Sequence, residues 1–316
     1  MQVSVVVPTF NRRDIVLRTV KTLFTQNVPT AGYEIIVVVD GSTDGSAAAL
    51  RALHPACRFR VIEQENRGLA GARNTGFRAA EGELIVFLDD DMLCDATLVR
   101  EHCAAHRPNE AALGLGAIFL SPDSPPGLAA ECFNREVGAY HLQHRQNPVL
   151  PWPRSACVFG NSSIPQRVLI GVGGFDERFR MREDAELGAR LFAAGVQPRY
   201  LPAAVAYQFY RKTAGDLIRD AEAFAIADLL FVHKHPELLN ETFLGRIANE
   251  PRWKRASRRI AAACPPLADI LLAPPCWLSE AFPRVRVLRS LGVRALQIRR
   301  GIHWYRKVLN SAGNRI

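Results

Sequence analysis

Three consecutive aspartates, Asp89, Asp90 and Asp91, follow directly after five apolar residues in the stretch LIVFLDDDML. Like charges packed this tightly repel one another, so something should offset them. The next predicted helix, ATLVREHCAAH, already has Asp95 in front of it as an N-cap, so the triplet is not needed for capping. Mg²⁺ or Mn²⁺ usually takes one or two carboxylates together with substrate phosphates. The triplet therefore predicts half of a metal site whose other half is a diphosphate.

Four strand-length runs alternate with helical patterns in the first part of the chain. The runs VSVVVP, YEIIVVV, FRVIEQ and ELIVFL, at residues 3–8, 33–39, 59–64 and 83–88, are rich in Val and Ile and apolar on both faces. Such runs are typical of a parallel sheet covered by helices. The order β-α-β-α-β-α-β predicts a right-handed, doubly wound α/β fold with a mostly parallel sheet sandwiched by helices.

Polar clusters follow each of these four runs. They are TFNRR, DGSTDGS, ENRGLAGARN and DDD, in chain order. Taken singly, each could be ordinary turn and capping chemistry. Because ligands of such sheets lie beyond the carboxyl ends of the strands, we expect all four clusters on one rim.

Charge divides the chain unevenly. Residues 251–316 contain 14 Lys and Arg against two acids, Asp269 and Glu280, a net charge of +12, which leaves −3 for residues 1–250 of the overall +9. This asymmetry predicts a near-neutral module followed by a basic, helix-patterned region, with a boundary between about 210 and 250.

Other residue types exclude several protein classes. The seven cysteines include no C-x-x-C pair, which argues against a disulfide framework or a zinc site. The scattered cysteines predict a reducing, cytoplasmic setting. The apolar run ADILLAPPCWL is too short and too Pro-interrupted to span a bilayer. His102 and His106, four residues apart on a predicted helix without an acidic third partner, are interpreted as surface residues. No nucleic-acid-binding motif occurs, and no nucleic-acid partner is predicted.

Six motifs in order resemble one enzyme family. VVVPTFNR, DGSTDGS, LAGARNTG, the D-x-D of Asp89 and Asp91, GGFDERF and REDAELGARL are similar to family-2 glycosyltransferases of the GT-A fold, over roughly residues 3–212. The resemblance implies transfer of one sugar from a nucleotide-sugar, commonly a UDP-sugar, with inversion at the anomeric carbon and with Mn²⁺ or Mg²⁺. We therefore predict a catalytic module at 1–212 and a helical, basic C-terminal region at 213–316.

The resemblance also assigns the donor site by position. Relatives carry D-x-G-S-T-D where this chain is one residue shorter, and a late His where it has Gln208. The metal ligands would be Asp91, Asp89 and Gln208. The nucleotide-sugar contacts would be Pro8, Thr9, Arg12, Asp40, Arg73, Asp89, Asp90, Arg211 and Lys212.

The acceptor side is assigned in the same way. Asp184, with Glu183 beside it, would remove the proton of the acceptor hydroxyl, although both acids could instead merely favour the first turn of a helix. Asn161, Gly173 and Gly174 would lie on the acceptor side. The segment QFYRKT would form a flap over the bound donor, and the missing Trp of the processive motif Q-x-x-R-W indicates a single-addition enzyme.

The basic tail predicts a second property. In residues 282–309, arginines alternate with apolar residues at helical spacing, which is typical of an amphipathic helix on an anionic membrane. Alternatives are a nucleic-acid patch, a partner-docking helix or a solvent face. The combined hypothesis is a peripheral enzyme on the inner face of the cell membrane, with a lipid-linked or membrane-proximal acceptor. A sugar-phosphate nucleotidyltransferase and a non-catalytic nucleotide-sugar or membrane-binding protein remain open.

Overall fold

The computed structural model describes residues 2–147, 150, 152 and 159–312. The chain divides into two compact units, Met1–Asp123 with Val137–Phe209, and Ser124–Glu136 with Tyr210–Ile316. The division expected from the sequence at 212/213 differs, because residues 124–136 group with the C-terminal part. Residues 313–316 of the predicted C-terminal region lie outside the described residues.

The first unit is built on one mixed sheet. In the described part of the chain its strand order is β3-β2-β1-β4-β7-β6-β8-β5. Strands β1 to β4 are parallel, and β7 runs antiparallel between β4 and β6. The strands are β1 Val3–Thr9, β2 Tyr33–Asp40, β3 Arg58–Gln64, β4 Leu84–Leu88, β5 Met92–Cys94, β6 Ala112–Leu120, β7 Asn161–Pro165 and β8 Gln197–Gln208.

Helices cover this sheet and form the second unit. Helix α5 and helices α9 to α13 belong to the second unit. The bounds are α1 Arg13–Leu23, α2 Ser46–Arg51, α3 Gly68–Ala79, α4 Leu98–Ala104, α5 Leu128–Phe133, α6 Ala139–Gln146, α7 Gln166–Gly171, α8 Glu183–Ala193, α9 Ala214–Lys234, α10 Phe243–Ala248, α11 Arg252–Ala263, α12 Pro265–Ala281 and α13 Arg286–Ser311.

The predicted α/β architecture is confirmed. Every residue of β1, β2 and β4 is buried, because their Val- and Ile-rich runs face helices on both sides. The edge strand β3 is only partly buried, unlike the two-sided burial expected from its sequence. Behind the end of β4, the rings of Phe87, Phe159 and Phe175 pack edge to face with centroids 5.2–6.0 Å apart. This rigid packing fixes the point at which the aspartate triplet leaves the sheet.

The second unit has its own core. Trp304 packs edge to face on Phe243, and its indole Nε1 donates to Asp228 Oδ2 at 2.7 Å. Helix α9 begins with a capping box in which Thr213 and Asp216 each bond the other's backbone N–H. The predicted helical character of the C-terminal region is confirmed.

Candidate active site

Strands β1 and β4 are parallel neighbours, so the residues that follow them meet at one rim of the sheet. Thr9 Oγ1 donates to Asp90 Oδ2 at 2.8 Å, and Arg12 Nη1 donates to Asp90 Oδ1 at 2.9 Å. Thr19 Oγ1 donates to the Asp90 carbonyl oxygen at 2.6 Å. Asp90 is buried and anchors the loop to β1 and α1.

The charge of the triplet is offset in part by arginines. Arg12 Nη1 also lies 3.3 Å from Asp91 Oδ2, and Arg73 Nη2 donates to Asp89 Oδ1 at 2.8 Å. The expectation that a metal ion alone offsets the triplet was incomplete. Burial, followed by the charges of Asp90 and Asp89, still raises the pKa of Asp91 to about 7. The three carboxylates of the triplet are contacted by two arginines, one of which is shared with Glu183, and a cation would relieve the remaining negative charge.

Gln208 ends β8 directly beside Asp91. Its Nε2 lies 3.2 Å from both carboxylate oxygens of Asp91, and the next residue, Phe209, donates its N–H to the Asp91 carbonyl oxygen at 2.7 Å. Rotation of this amide by 180° would turn its oxygen to the same place.

The oxygen atoms gathered here fit a cation whose remaining ligands come from the substrate. Within the described residues, no three His, Cys, Asp or Glu side chains converge as a metal cage. Asp91 and Asp89, with the Gln208 amide, supply the one or two carboxylates that Mg²⁺ or Mn²⁺ takes when phosphate oxygens provide other ligands.

Arg73 joins the aspartate triplet to the second acidic cluster. Its side chain is only 2% exposed, and its Nη1 donates to Glu183 Oε1 at 2.9 Å while Nη2 holds Asp89. Gly160 closes the site behind Asp89, because a Cβ there would lie 2.7 Å from Asp89 Oδ2. One buried guanidinium thus sets the spacing between Asp89 and the acids of α8.

Glu183 and Asp184 begin α8, as the sequence pattern indicates. The preceding Arg182 has a left-handed backbone (φ 62°), which turns the chain into the helix, and Ala185 N donates to Asp184 Oδ1 at 2.7 Å. Burial, followed by the charge of Asp184, raises the pKa of Glu183 to about 7. Burial also raises the pKa of Asp184, while Arg73 opposes the shift. Capping and proton transfer are compatible roles for Asp184, since its other oxygen is not used by Ala185.

Asp40 ends β2 and organises the start of α3. Its Oδ1 accepts from Gln64 Nε2 at 2.6 Å and from Arg67 N at 2.8 Å, and its Oδ2 accepts from Gly68 N at 2.8 Å. Oδ2 retains acceptor capacity for a nucleobase N–H. Pro8 lies buried in β1 opposite Val38 of β2, next to this loop.

The turn before the α8 acids is fixed by a residue to which the sequence analysis gave no role. Gly173 and Gly174 have φ of 79° and 72°, which favours glycine. Asn74 Oδ1 accepts from Phe175 N and its Nδ2 donates to Phe175 O, both at 2.9 Å. Asn74 lies within the motif LAGARNTG, and its place in that motif is the feature of the sequence that could have indicated a role.

Asn161 is not brought into this cluster. It is 1% exposed, and its Nδ2 donates to the carbonyl oxygens of Ala117 and Ala204 at 3.1 and 2.9 Å. Its Oδ1 must then accept from His102 Nε2 at 2.8 Å. The amide is fully occupied inside the sheet, so the structure gives no support to its expected acceptor contact.

The surface interpretation of His102 and His106 was wrong. His102 is fully buried and His106 is 7% exposed. Since His102 Nε2 donates to Asn161, its Nδ1 accepts from Ser163 Oγ, and Ser163 in turn accepts from His106 Nε2, each at 2.8 Å. Burial lowers the pKa of both rings to about 4. These are neutral, interior histidines that tie α4 to β7.

Arg211 and Lys212 belong to the second unit. Arg211 is exposed. Lys212 lies just before α9, and its Nζ pairs with Asp220 Oδ2 of that helix at 2.6 Å. Their expected contact with the donor stays a prediction.

Sequence comparison decides the family. Residues 4–170 match the family model described as glycosyl transferase family 2. The chain belongs to this family. A validoxylamine A glucosyltransferase of Streptomyces hygroscopicus subsp. jinggangensis is 33% identical over 271 residues, covering 76% of this chain and 62% of the relative. A pre-mycofactocin glycosyltransferase of Mycobacterium tuberculosis is 28% identical over 249 residues, covering 74% of this chain and 48% of the relative. The chain thus spans about half to three fifths of the length of these curated relatives.

Solved structures confirm the predicted GT-A fold. A mannosyltransferase from Pyrobaculum calidifontis, in complex with GDP-Man and Mn²⁺, superposes with a TM-score of 0.63 at 22% identity, covering 96% of this chain and 87% of that one. TarS residues 1–349 of S. aureus, in complex with UDP, gives a TM-score of 0.56 at 14% identity, covering 100% and 92%. At these identities the likeness establishes the fold.

Proposed function

We propose that this family-2 chain transfers one sugar from a nucleotide-sugar to an acceptor hydroxyl by direct displacement, with inversion at the anomeric carbon. The observation that carries the proposal is Arg73, which holds Asp89 of the triplet at 2.8 Å and Glu183 of the second acidic pair at 2.9 Å. A single displacement needs a diphosphate site and a base on opposite sides of the reacting carbon. Arg73 holds one residue of the proposed diphosphate site, Asp89, at a fixed separation from Glu183, the neighbour of the proposed base.

The donor is proposed to be a UDP-sugar. The nucleobase of the donor would form hydrogen bonds near Asp40 and Pro8. The diphosphate of the donor would lie against Thr9, Arg12 and the carboxylates of the triplet. The mannosyltransferase and TarS complexes hold GDP-Man and UDP respectively, so the nucleotide is the first point to test. Arg211 and Lys212 are proposed to supply positive charge to the diphosphate.

Mn²⁺ or Mg²⁺ is proposed at Asp91 and Asp89, with the Gln208 amide as a third ligand. Bound there, the ion would act as a Lewis acid on the charge that develops on the leaving diphosphate. Asp90 positions the triplet through Thr9 and Arg12 rather than binding the ion itself.

Asp184 is proposed as the base that takes the acceptor hydroxyl proton. Burial raises its pKa, which makes its carboxylate a stronger proton acceptor than an exposed aspartate. Glu183 and Arg73 position it, and the glycine turn at Gly173 and Gly174 leaves backbone, without side chains, beside the acceptor.

The acceptor is proposed to be lipid-linked or membrane-proximal, with the protein peripheral on the cytoplasmic face. A small-molecule acceptor is the second candidate, favoured by the relative named for validoxylamine A.

A thermal-shift screen of UDP-, GDP- and TDP-sugars, with Mn²⁺ and in EDTA, tests the donor and the metal together. A ligand at 100 times its dissociation constant stabilises the folded state by roughly 2.7 kcal/mol. Asp184→Asn should keep this donor-induced shift and lower turnover about 10²- to 10⁴-fold, the usual contribution of a general base. Glu81→Gln, at an exposed acid paired with Arg58, is the control. Stabilisation by a nucleoside triphosphate with release of pyrophosphate would instead identify a nucleotidyltransferase.

A further inference from the structure

Helix α12 carries its large apolar side chains on the outside. The exposed positions form one stripe at helical spacing, and their exposed fractions reach 69% at Ile270 and 65% at Trp277. On the inward side, Ser279 and Cys276 pack against Gly292 in α13, and Leu272 is partly buried. A helix that rests on a protein core in water shows the opposite arrangement. The stripe consists of Leu267, Ile270, Leu271, Pro274, Trp277 and Ala281.

Helix α11 continues this surface. Trp253 and Ile260, seven residues apart and therefore on one side of the helix, are 68% and 75% exposed, while Ala262 on the opposite side is buried. Basic residues flank the line, and Lys254 Nζ lies 5.5 Å from the centre of the Trp253 ring. We call the exposed stripe of α12 together with Trp253 and Ile260 the apolar face.

The two helices meet at an angle of 94°. Among the described residues no single helix is long and apolar enough to cross a membrane, and α11 and α12 reach that length and composition only as a bent pair. Amphipathic helices with exposed Trp and Leu beside Lys and Arg bind in the plane of the membrane interface. Trp residues concentrate at that interface because the ring is both apolar and a hydrogen-bond donor.

Charge distinguishes the possible occupants of the apolar face. Residues 251–316 carry 14 Lys and Arg against two acids, and one of these acids, Asp269, is paired with Arg299 and His303. Two copies meeting at this face would bring like charges together, whereas an anionic leaflet would attract them. A groove of about 660 Å³ between α11 and α13 is lined by Lys254 and Arg294, which offer basic groups for lipid phosphates, and by Arg258, which pairs with Glu250.

We propose that the apolar face of α11 and α12 docks in the plane of an anionic bilayer, with Trp253 and Trp277 inserted at the interface. The inference rests on the membrane association in the proposed function, and it does not depend on the chemistry of sugar transfer. It moves the membrane contact from the helix expected from the sequence to the two helices before it.

The arginines of α13 agree with this assignment. Arg289 pairs with Glu131, Arg299 with Asp269 and Arg300 with Glu136, all inside the second unit. Trp304, Tyr305 and Val308 of the same helix are buried. Reversing the charges of Arg299 and Arg300 would therefore break packing contacts, and it would not report on membrane binding.

Tryptophan fluorescence of the full chain tests the docking directly. The chain has four Trp, and the other two, Trp152 and Trp304, are only 8% and 5% exposed. Vesicles of phosphatidylglycerol and brominated phosphatidylcholine should quench the wild type. Trp253→Phe/Trp277→Phe should sediment with the same vesicles but lose the quenching.

A second variant pair measures the contribution of the stripe. Ile270→Gln/Leu271→Gln should lower the vesicle partition coefficient about tenfold or more, since burial of one such side chain corresponds to roughly a tenfold change. Ile170→Gln/Ile226→Gln, at exposed isoleucines 63% and 50% accessible outside this face, should partition like the wild type. Binding should weaken as salt increases.

Each other outcome overturns the proposal. Equal partition of the two isoleucine variants, or the absence of quenching, would exclude this face as the membrane contact. A concentration-dependent dimer by light scattering that Ile270→Gln/Leu271→Gln abolishes would identify a second copy as the occupant. The donor-induced thermal shift is measured on the same samples. If that shift is intact while vesicle binding is absent, this inference and the proposed membrane association fail while the proposed sugar transfer stands. If the shift is absent, the proposed sugar transfer fails.

Discussion

Replacing His102 by Gln should make the protein less sensitive to mild acid. The ring is fully buried, with its Nε2 donating to Asn161 Oδ1 and its Nδ1 accepting from Ser163 Oγ, each at 2.8 Å. Protonation would place a second N–H against a hydroxyl that His106 already uses as an acceptor, and no described residue in contact with the ring carries a counter-charge. A Gln amide offers one donor and one acceptor at similar positions, and it does not titrate.

The size of the effect follows from the pKa. Burial lowers the pKa of His102 to about 4, whereas the unfolded chain has the ordinary value of about 6.5. The unfolded state therefore binds more protons between these values, and stability is lost as the pH falls through that window. Linkage gives a loss of about 2 kcal/mol from this residue between pH 8 and pH 5. That corresponds to a fall in melting temperature of roughly 4–8 °C for a unit of this size.

Differential scanning calorimetry of wild type and His102→Gln at pH 8 and pH 5 measures the difference. Contributions from His141 and the buried acids are present in both proteins and cancel, whereas His106 shares Ser163 with His102 and is expected to change with it. His54→Gln, at an exposed position, should follow the wild type at both pH values. If His102→Gln loses as much stability as the wild type between pH 8 and pH 5, the neutral buried histidine is not the source of the acid sensitivity.

Three further outcomes follow from the site. Asp91→Asn should abolish the Mn²⁺-dependent part of donor stabilisation, and an unchanged shift in the presence of Mn²⁺ would argue against Asp91 as a ligand. Gly160→Ala should weaken donor affinity, measured by titration calorimetry, because the added methyl would lie 2.7 Å from Asp89 Oδ2 and displace that carboxylate. Asn74→Ala should destabilise the protein by about 1–3 kcal/mol in denaturant titration, since Phe175 loses both of its backbone partners; a neutral effect would show that the turn is held by other contacts.

The parallel half of the sheet was predictable from the sequence because its signals are local. Runs such as YEIIVVV combine β-branched residues with burial on both faces, and polar clusters after each run indicate the carboxyl-end rim. Strands β6, β7 and β8 pair with partners far away in the chain, and β8 changes register against β6 at Gly116/Ala117. Nothing in their local composition indicates those pairings.

The residue types of the site were predictable, but their connections were not. Arg73 was assigned to the nucleotide, whereas it also holds Glu183, 110 residues later in the chain. His102 was interpreted as a surface residue because its own helix offers no acidic partner. Its partners are neutral groups on β7, 59 and 61 residues away. A side chain that is satisfied only by tertiary contacts leaves no periodic signal.

The basic region shows why a net charge does not locate a surface. The sequence places 14 Lys and Arg in residues 251–316, and seven of them fall in α13. Three of those arginines neutralise Glu131, Asp269 and Glu136, and the first and last of these acids come from a segment that is distant in sequence. The charges that remain available to a partner therefore depend on packing. By contrast, the apolar stripe of α12 contains no acidic or basic residue. Its contribution to membrane binding therefore comes from the hydrophobic effect and not from ion pairs. That is why the docking test substitutes Ile270 and Leu271 and leaves the arginines of α13 unchanged.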